Sequence, residues 1–307
     1  MSTPTLVTAR KIRLTTRTGV DVHRLFPQSG LRRVSAWCFL DHFGPTASRD
    51  AMVVAAHPHT GLQTATWLLE GAVEHRDSIG SVQRLEPGEF NLMTAGSGIA
   101  HSELGLDGTL HAVQLWLAMP DAVRNQPPRF EHHANLPTVI SRGYSARVFA
   151  GTFLGATSPA TVHWQVFGAQ LSLESTEAVI LPLNPAEELA ILPLTGSIEV
   201  DGAHVESGQL YYLPAGKSQC VMQAHRDGTA ALVIGGLPFD EPLVMWWNFI
   251  GRSHEEVVEM RELWNARGAD DALLTHASHE RFGMVFPDNV GGWIPAPELP
   301  NLTLHAR

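Results

Sequence analysis

The chain has 307 residues, a formal charge of −10 at pH 7 and a pI near 5.9. With no Lys/Arg-rich run beyond short steps such as Arg32-Arg33, neither direct nucleic-acid binding nor attachment to an anionic membrane through a basic surface is expected. Met1 to Arg17 lacks an apolar signal core, no apolar stretch spans a bilayer, and Cys38 and Cys220 are the two cysteines, so the expected setting is cytoplasmic and reducing.

Residues 5 to 26 read as two strands around a Thr18-Gly19 turn, followed by a buried strand from Trp37 ending in Asp41-His42-Phe43-Gly44-Pro45. Val53 to His59, Gln63 to Leu69, Ala72 to His75, Ser81 to Leu85, Phe90 to Thr94, Ile99 to Glu103 and His111 to Ala118 are extended segments separated by Gly-containing turns. Asp121 to Pro137 is polar and Pro-rich and reads as a linker. Strands are then expected at Arg147 to Phe153, Val162 to Leu173, Glu188 to Leu192, Gly196 to Val200, Gln209 to Leu213 and Ala230 to Gly235. Ser253 to Arg267 is the one convincing helix: Ser253 is an N-cap candidate, Glu255 and Glu256 sit in the first turn, and Val257, Met260, Leu263 and Trp264 share a face.

The expected class is all-β, two antiparallel β-barrel domains with a short C-terminal helix, divided as 1–137 and 138–307 with the linker from about 121. The halves read as copies. Leu69-Glu70-Gly71-Ala72-Val73-Glu74 corresponds to Leu194-Thr195-Gly196-Ser197-Ile198-Glu199, and Leu92-Met93-Thr94-Ala95-Gly96 to Tyr212-Leu213-Pro214-Ala215-Gly216.

Chemistry concentrates in His57-Pro58-His59 and His101-Ser102-Glu103. Residues at i and i+2 on a strand project from one face, so these pairs bring three imidazoles and a carboxylate together, a set suited to a divalent transition metal with open coordination positions. Carrying the repeat register across places Pro182 and Asn184 at the positions of His57 and His59. Val221 and Gln223, or Gln219 and Val221, then fall at those of His101 and Glu103. The second copy keeps the scaffold and lacks the ligands. Pro58 cannot donate to a ladder, so its strand should lie at an edge or be irregular.

Trp67-Leu68-Leu69-Glu70-Gly71, His75-Arg76-Asp77-Ser78, Met93-Thr94-Ala95-Gly96, Gly98-Ile99-Ala100-His101-Ser102-Glu103 and Gln114-Leu115-Trp116 follow His57-Pro58-His59 in order. With Asp41-His42-Phe43-Gly44-Pro45 upstream and Asp240-Glu241-Pro242 and Arg281-Phe282-Gly283 downstream, this pattern resembles the pirin branch of the cupin superfamily, densest over residues 37–120. The resemblance implies a bicupin fold with one metal in the N-terminal domain, held by His57, His59, His101 and Glu103. Iron is the usual occupant; nickel, copper, manganese and zinc are compatible with the same ligands. The implied activity is quercetin 2,3-dioxygenase-type ring cleavage of a flavonol-like substrate with O2, Glu103 acting as base. The alternative it implies is a non-enzymatic, iron-binding redox sensor acting through a protein partner.

Thr60 stands where pirins usually carry Arg, Gln63 where Glu is frequent, and Glu89 and Asn91 where Asp and Gln occur; these departures bear on pocket polarity. Gln63, His111 and Gln114 are candidates to orient an imidazole through its free nitrogen, and Trp67, Met93 and Trp116 to line the pocket. His75-Arg76-Asp77-Ser78 reads as a hairpin hydrogen-bond network rather than a catalytic triad. His132-His133, His276 and His279 are expected to face solvent, and Cys38 and Cys220 to pack as small apolar residues. Met245-Trp246-Trp247-Asn248 reads as either a barrel-closing strand or a contact surface.

Overall fold

In Gln219–Ala224, Cys220, Met222 and Ala224 are buried while Gln219, Val221 and Gln223 are exposed, the period-two pattern of a strand with one face on a core. Such strands make up most of the computed structural model, which describes residues 3–13, 21–47, 52–106, 109–266, 281–283 and 292–306. The Thr18-Gly19 turn, Arg267, His276 and His279 lie outside the described residues.

The chain divides into two compact units. The first comprises Arg13–Asp21, Phe43–His132 and Asp240–Arg307; the second comprises Met1–Ile12, Val22–His42 and His133–Phe239. In the first unit, one sheet has the order Val53–His59, Ile99–Gly105, Val73–Asp77, Val82–Leu85. Facing it are Arg129–His133, Phe90–Thr94, Leu62–Glu70 and Thr109–Ala118, hydrogen-bonded in that order. The segment expected as a linker therefore contains a strand.

The second unit repeats this plan. Val179–Pro182, Gln219–Ala224, Ser197–Val200 and Ala203–Glu206 form one sheet, and Gln209–Leu213, Glu188–Pro193, Thr229–Gly236 and Val166–Leu173 lie in order within the other. Both units are open, sandwich-like cupin folds rather than closed barrels, since each sheet ends in edge strands. Val53–His59 is one such edge, as Pro58 requires.

Val179–Pro182 and Gln219–Ala224 were not among the strands read from sequence, and their register corrects the repeat alignment. His101 pairs with His57 and Gly105 with Val73; Cys220 pairs with Leu181 and Ala224 with Ile198. The positions of His57, His59, His101 and Glu103 therefore fall to Leu181, Leu183, Cys220 and Met222, one residue away from the expected substitutes. Leu181, Cys220 and Met222 are buried in the unit's core, with Leu183 packed against it. Ile180 and Val221 point outward, because a one-residue slip exchanges the two faces of a strand.

The helix spans His254–Asn265, capped by Ser253, whose Oγ accepts the Glu256 N–H at 3.2 Å. Val257, Met260 and Trp264 are buried, and Leu263 packs partly buried beside them. No helix among the described residues is long and apolar enough to cross a membrane.

Candidate metal centre

Adjacent strands position the four sequence-predicted donors. His57 and His101 are direct cross-strand partners, and Glu103 lies opposite His75 on the other side of the same strand, just past an irregularity between His101 and Glu103. The ring centroids of His57, His59 and His101 lie 4.4 to 5.0 Å apart. One ring nitrogen from each lies within 4.8 Å of the others, a spacing that could hold a metal ion. His75, His101 and Glu103 form a second such group.

Hydrogen bonds select the tautomers. His57 Nδ1 lies 2.8 Å from the Ala55 carbonyl, to which it donates, leaving Nε2 as a lone-pair donor. His75 Nε2 faces Asp77 Oδ2 at 3.1 Å, and His75 Nδ1 faces His101 Nδ1 at 3.3 Å. A proton on His75 Nε2 makes His75 Nδ1 an acceptor, which places the His101 proton on Nδ1 and leaves His101 Nε2 as a free lone pair. That lone pair meets His59 Nε2 at 3.1 Å. Two nitrogens bound at about 2.1 Å to one ion and at right angles stand about 3 Å apart, so the His59–His101 pair fits a divalent cation, while Glu103 groups with His75 and His101 rather than with His57 and His59.

Burial reinforces this. His57, His59, His101 and Glu103 are all buried, His59 being only 1% exposed. Desolvation lowers the His57 pKa to about 4, and His59 and His101 fall well below the usual imidazole value for the same reason, with neighbouring histidines adding to it. Neutral imidazoles are the ligand form. The Glu103 carboxyl is pushed up, chiefly by burial, with His75 and the Thr66 hydroxyl opposing. Thr66 Oγ1 lies 3.5 Å from Glu103 Oε1 and 3.1 Å from Gln114 Oε1.

Strand parity sorts the remaining candidates. Thr66, Gln114 and Trp116 share the face toward the site, with the Trp116 ring 5.2 Å from that of His59. Met93 pairs with Thr64 on the same face and packs with Phe130, which stacks on His75. Gln63 and Trp67 belong to the opposite face, and Gln63 donates to Thr94 Oγ1 at 2.9 Å. His111 pairs with Glu70 at the far end of its strand. Asp77 Oδ1 accepts the N–H groups of Ile79 and Ser81, so the expected hairpin network exists and also steadies His75, a site neighbour that sequence reasoning missed. Its His-x-Asp spacing, matching that of the donor pairs, was the available signal. His132 is tethered rather than solvent-facing, 2.8 Å from Asn91 Oδ1.

The Met245–Asn248 segment is half-buried and belongs to a hairpin rather than to a barrel-closing strand. Val244–Trp246 and Phe249–Gly251 make a hairpin whose Phe249 bridges to Thr60. Thr60 donates to Met260 Sδ at 2.9 Å, and Ala100, Phe249, Met260, Trp264 and Phe282 form one apolar cluster beside His101. Gly61 permits this approach: its φ is +69°, and a Cβ there would lie 2.3 Å from the Ile250 carbonyl.

Fold and donors together define a bicupin with, among the described residues, one candidate metal centre made of two donor groups that share His101. Comparison with known proteins is specific: the pirin model matches residues 19–117, and the pirin C-terminal cupin domain model residues 168–270. The chain belongs to the pirin family. It is 40% identical over 250 residues to a Pseudomonas aeruginosa protein named "Putative quercetin 2,3-dioxygenase PA1205", covering 80% of this chain and 79% of that one. The crystal structure of a quercetin 2,3-dioxygenase from Acinetobacter baumannii is similar throughout, with a TM-score of 0.91, 36% identity and coverage of 99% and 98%. The bacterial pirin YhhW from Escherichia coli, solved in complex with nickel(II), shares the fold with a TM-score of 0.62 and 20% identity over 77% of this chain and all of that one.

Proposed function

We propose that His57, His59, His101 and Glu103 hold one divalent transition metal, with iron the expected occupant. On this reading the protein is a cytoplasmic dioxygenase that opens flavonol-like rings in the manner of a quercetin 2,3-dioxygenase. Residues 1–137 and 138–307 are then the two halves of a duplication, of which only the first retains the ligands. Such an ion supplies Lewis acidity toward a substrate oxygen and electron exchange with dioxygen.

The observation that carries the reading is Glu103. It is the one carboxylate in the two candidate ligand groups, where it stands with His75 and His101; it is buried, and desolvation makes it a stronger base than an exposed glutamate. Glu103 takes the proton of the flavonol 3-hydroxyl, and Thr66, backed by Gln114, steadies the carboxylate. Trp116 against His59 and Phe130 against His75 keep water from the imidazoles. The balanced reaction adds both atoms of O2 to the substrate and releases carbon monoxide.

Near-complete burial of the donors favours a second reading, in which an iron site changes redox state without turning over substrate and its state is read by a protein partner. Protein purified without oxygen, analysed for metal and then given quercetin and O2 separates the two. Rapid loss of flavonol absorbance with carbon monoxide release supports the enzyme; inertness with iron bound supports the sensor.

A further inference from the structure

The second unit holds a cavity of about 740 Å3, within the range of small-molecule sites. It lies at the end of the fold where the first unit gathers its donors. Leu183, Leu189 and Leu213 line it, and the repeat register places these at the positions of His59, Thr64 and Met93. These side chains make its floor apolar.

We propose that this cavity is a metal-independent binding site for a neutral, planar aromatic molecule carrying hydroxyl groups. Phe153 and Phe167 stack at 4.5 Å with their planes 12° apart and give the cavity a flat aromatic wall. Gly235 fixes that wall, since a Cβ there would lie 2.4 Å from the Phe167 ring. Trp164 adds another aromatic wall, anchored by its indole N–H on the Leu237 carbonyl at 3.0 Å and by an edge contact with Phe239.

Charge selects among aromatic ligands. Lys217 at the lining is paired with Asp201 at 2.6 Å, outside the cavity lining, which neutralises it toward a bound anion. Glu188 already accepts the Ser35 N–H and the Tyr212 hydroxyl. Glu187, met by the Gln165 amide at 3.4 Å, offers remaining acceptor capacity at the rim. A carboxylate or sulfonate would face Glu187 and Glu188, whereas a phenolic hydroxyl would donate to Glu187.

The site does not depend on the dioxygenase reading. Equilibrium dialysis of the full-length protein against 2-naphthol should show saturable 1:1 binding, with 2-naphthoate, the same ring bearing a negative charge, at least about tenfold weaker. Leu183→Trp, which fills the mouth, should weaken 2-naphthol by about tenfold or more while leaving metal content unchanged. Glu187→Lys, on the half-buried rim, should shift the preference toward 2-naphthoate, and His101→Ala should leave 2-naphthol binding intact. Absent binding, equal affinity for the two probes, an unchanged preference in Glu187→Lys, or binding lost in His101→Ala but kept in Leu183→Trp would each overturn the assignment.

Discussion

His57 and His101 face each other directly across antiparallel strands, with ring centroids 4.4 Å apart. This pairing makes His101 the hub of the site, since it also meets His59 at 3.1 Å and His75 at 3.3 Å. His101→Ala should lower bound metal about 100-fold or more, beyond the 10–100-fold expected for an outer partner. Metal analysis of folded wild type and variant checks this, and unchanged stoichiometry would remove the metal centre.

Glu103→Gln keeps the shape and removes the base. The metal-loaded variant should lose flavonol turnover by at least about 100-fold, the lower range for general-base catalysis. Turnover equal to wild type at equal metal content would exclude the proton-transfer role.

Asp77 joins the hairpin to the site. Its Oδ1 satisfies the Ile79 and Ser81 N–H groups at 3.0 and 2.9 Å while Oδ2 faces His75. Asp77→Ala should lower stability by about 2–3 kcal/mol, because two donors lose their acceptor. A denaturant midpoint equal to that of wild type would contradict this account.

Burial holds His57 neutral down to about pH 4, whereas the unfolded chain takes up its proton near pH 6.5. Below pH 6.5 the unfolded state therefore binds more protons at this residue, and apo-protein stability should fall as pH drops toward 4. Chelated wild type should lose more stability between pH 7 and 5 than chelated His57→Phe. Equal losses would mean that His57 is not held neutral.

The repeat register has its own test. Leu181 is fully buried and Ile180 is 59% exposed. Leu181→Asp should unfold the second unit or cost about 4 kcal/mol or more, while Ile180→Asp should stay within about 0.5 kcal/mol of wild type. The reverse order in a denaturation series would restore the alignment read from sequence.

The clustering of His57, His59 and His101, with Glu103 beside His101, was legible because the i, i+2 spacing is a local property of two strands, and the resemblance to pirins pointed to the same residues. The substitutes in the second unit were not, because the alignment was carried through turns while the strands Val179–Pro182 and Gln219–Ala224 went unread. Errors of one residue matter little for a loop but invert a strand. Gln63 and Trp67 failed for a related reason: nothing local says which face of Leu62–Glu70 is turned toward Glu103, whereas the Thr66 contact does. The packing of Met245–Asn248 depends on its hairpin meeting Thr60 and the cluster around Met260, residues 200 positions apart, a distance at which sequence pattern carries no signal. Cys38 and Cys220 behave as expected, both buried, with burial pushing the Cys220 thiol up to about 12.

The bond from Thr60 to Met260 also sets an order of events during synthesis. His57, His59, His101 and Glu103 leave the ribosome long before the helix that carries Met260, and all of His133–Phe239, the bulk of the other unit, is made in between. The apolar cluster of Ala100, Phe249, Met260, Trp264 and Phe282 beside His101 therefore assembles only once the C-terminal segment has been made.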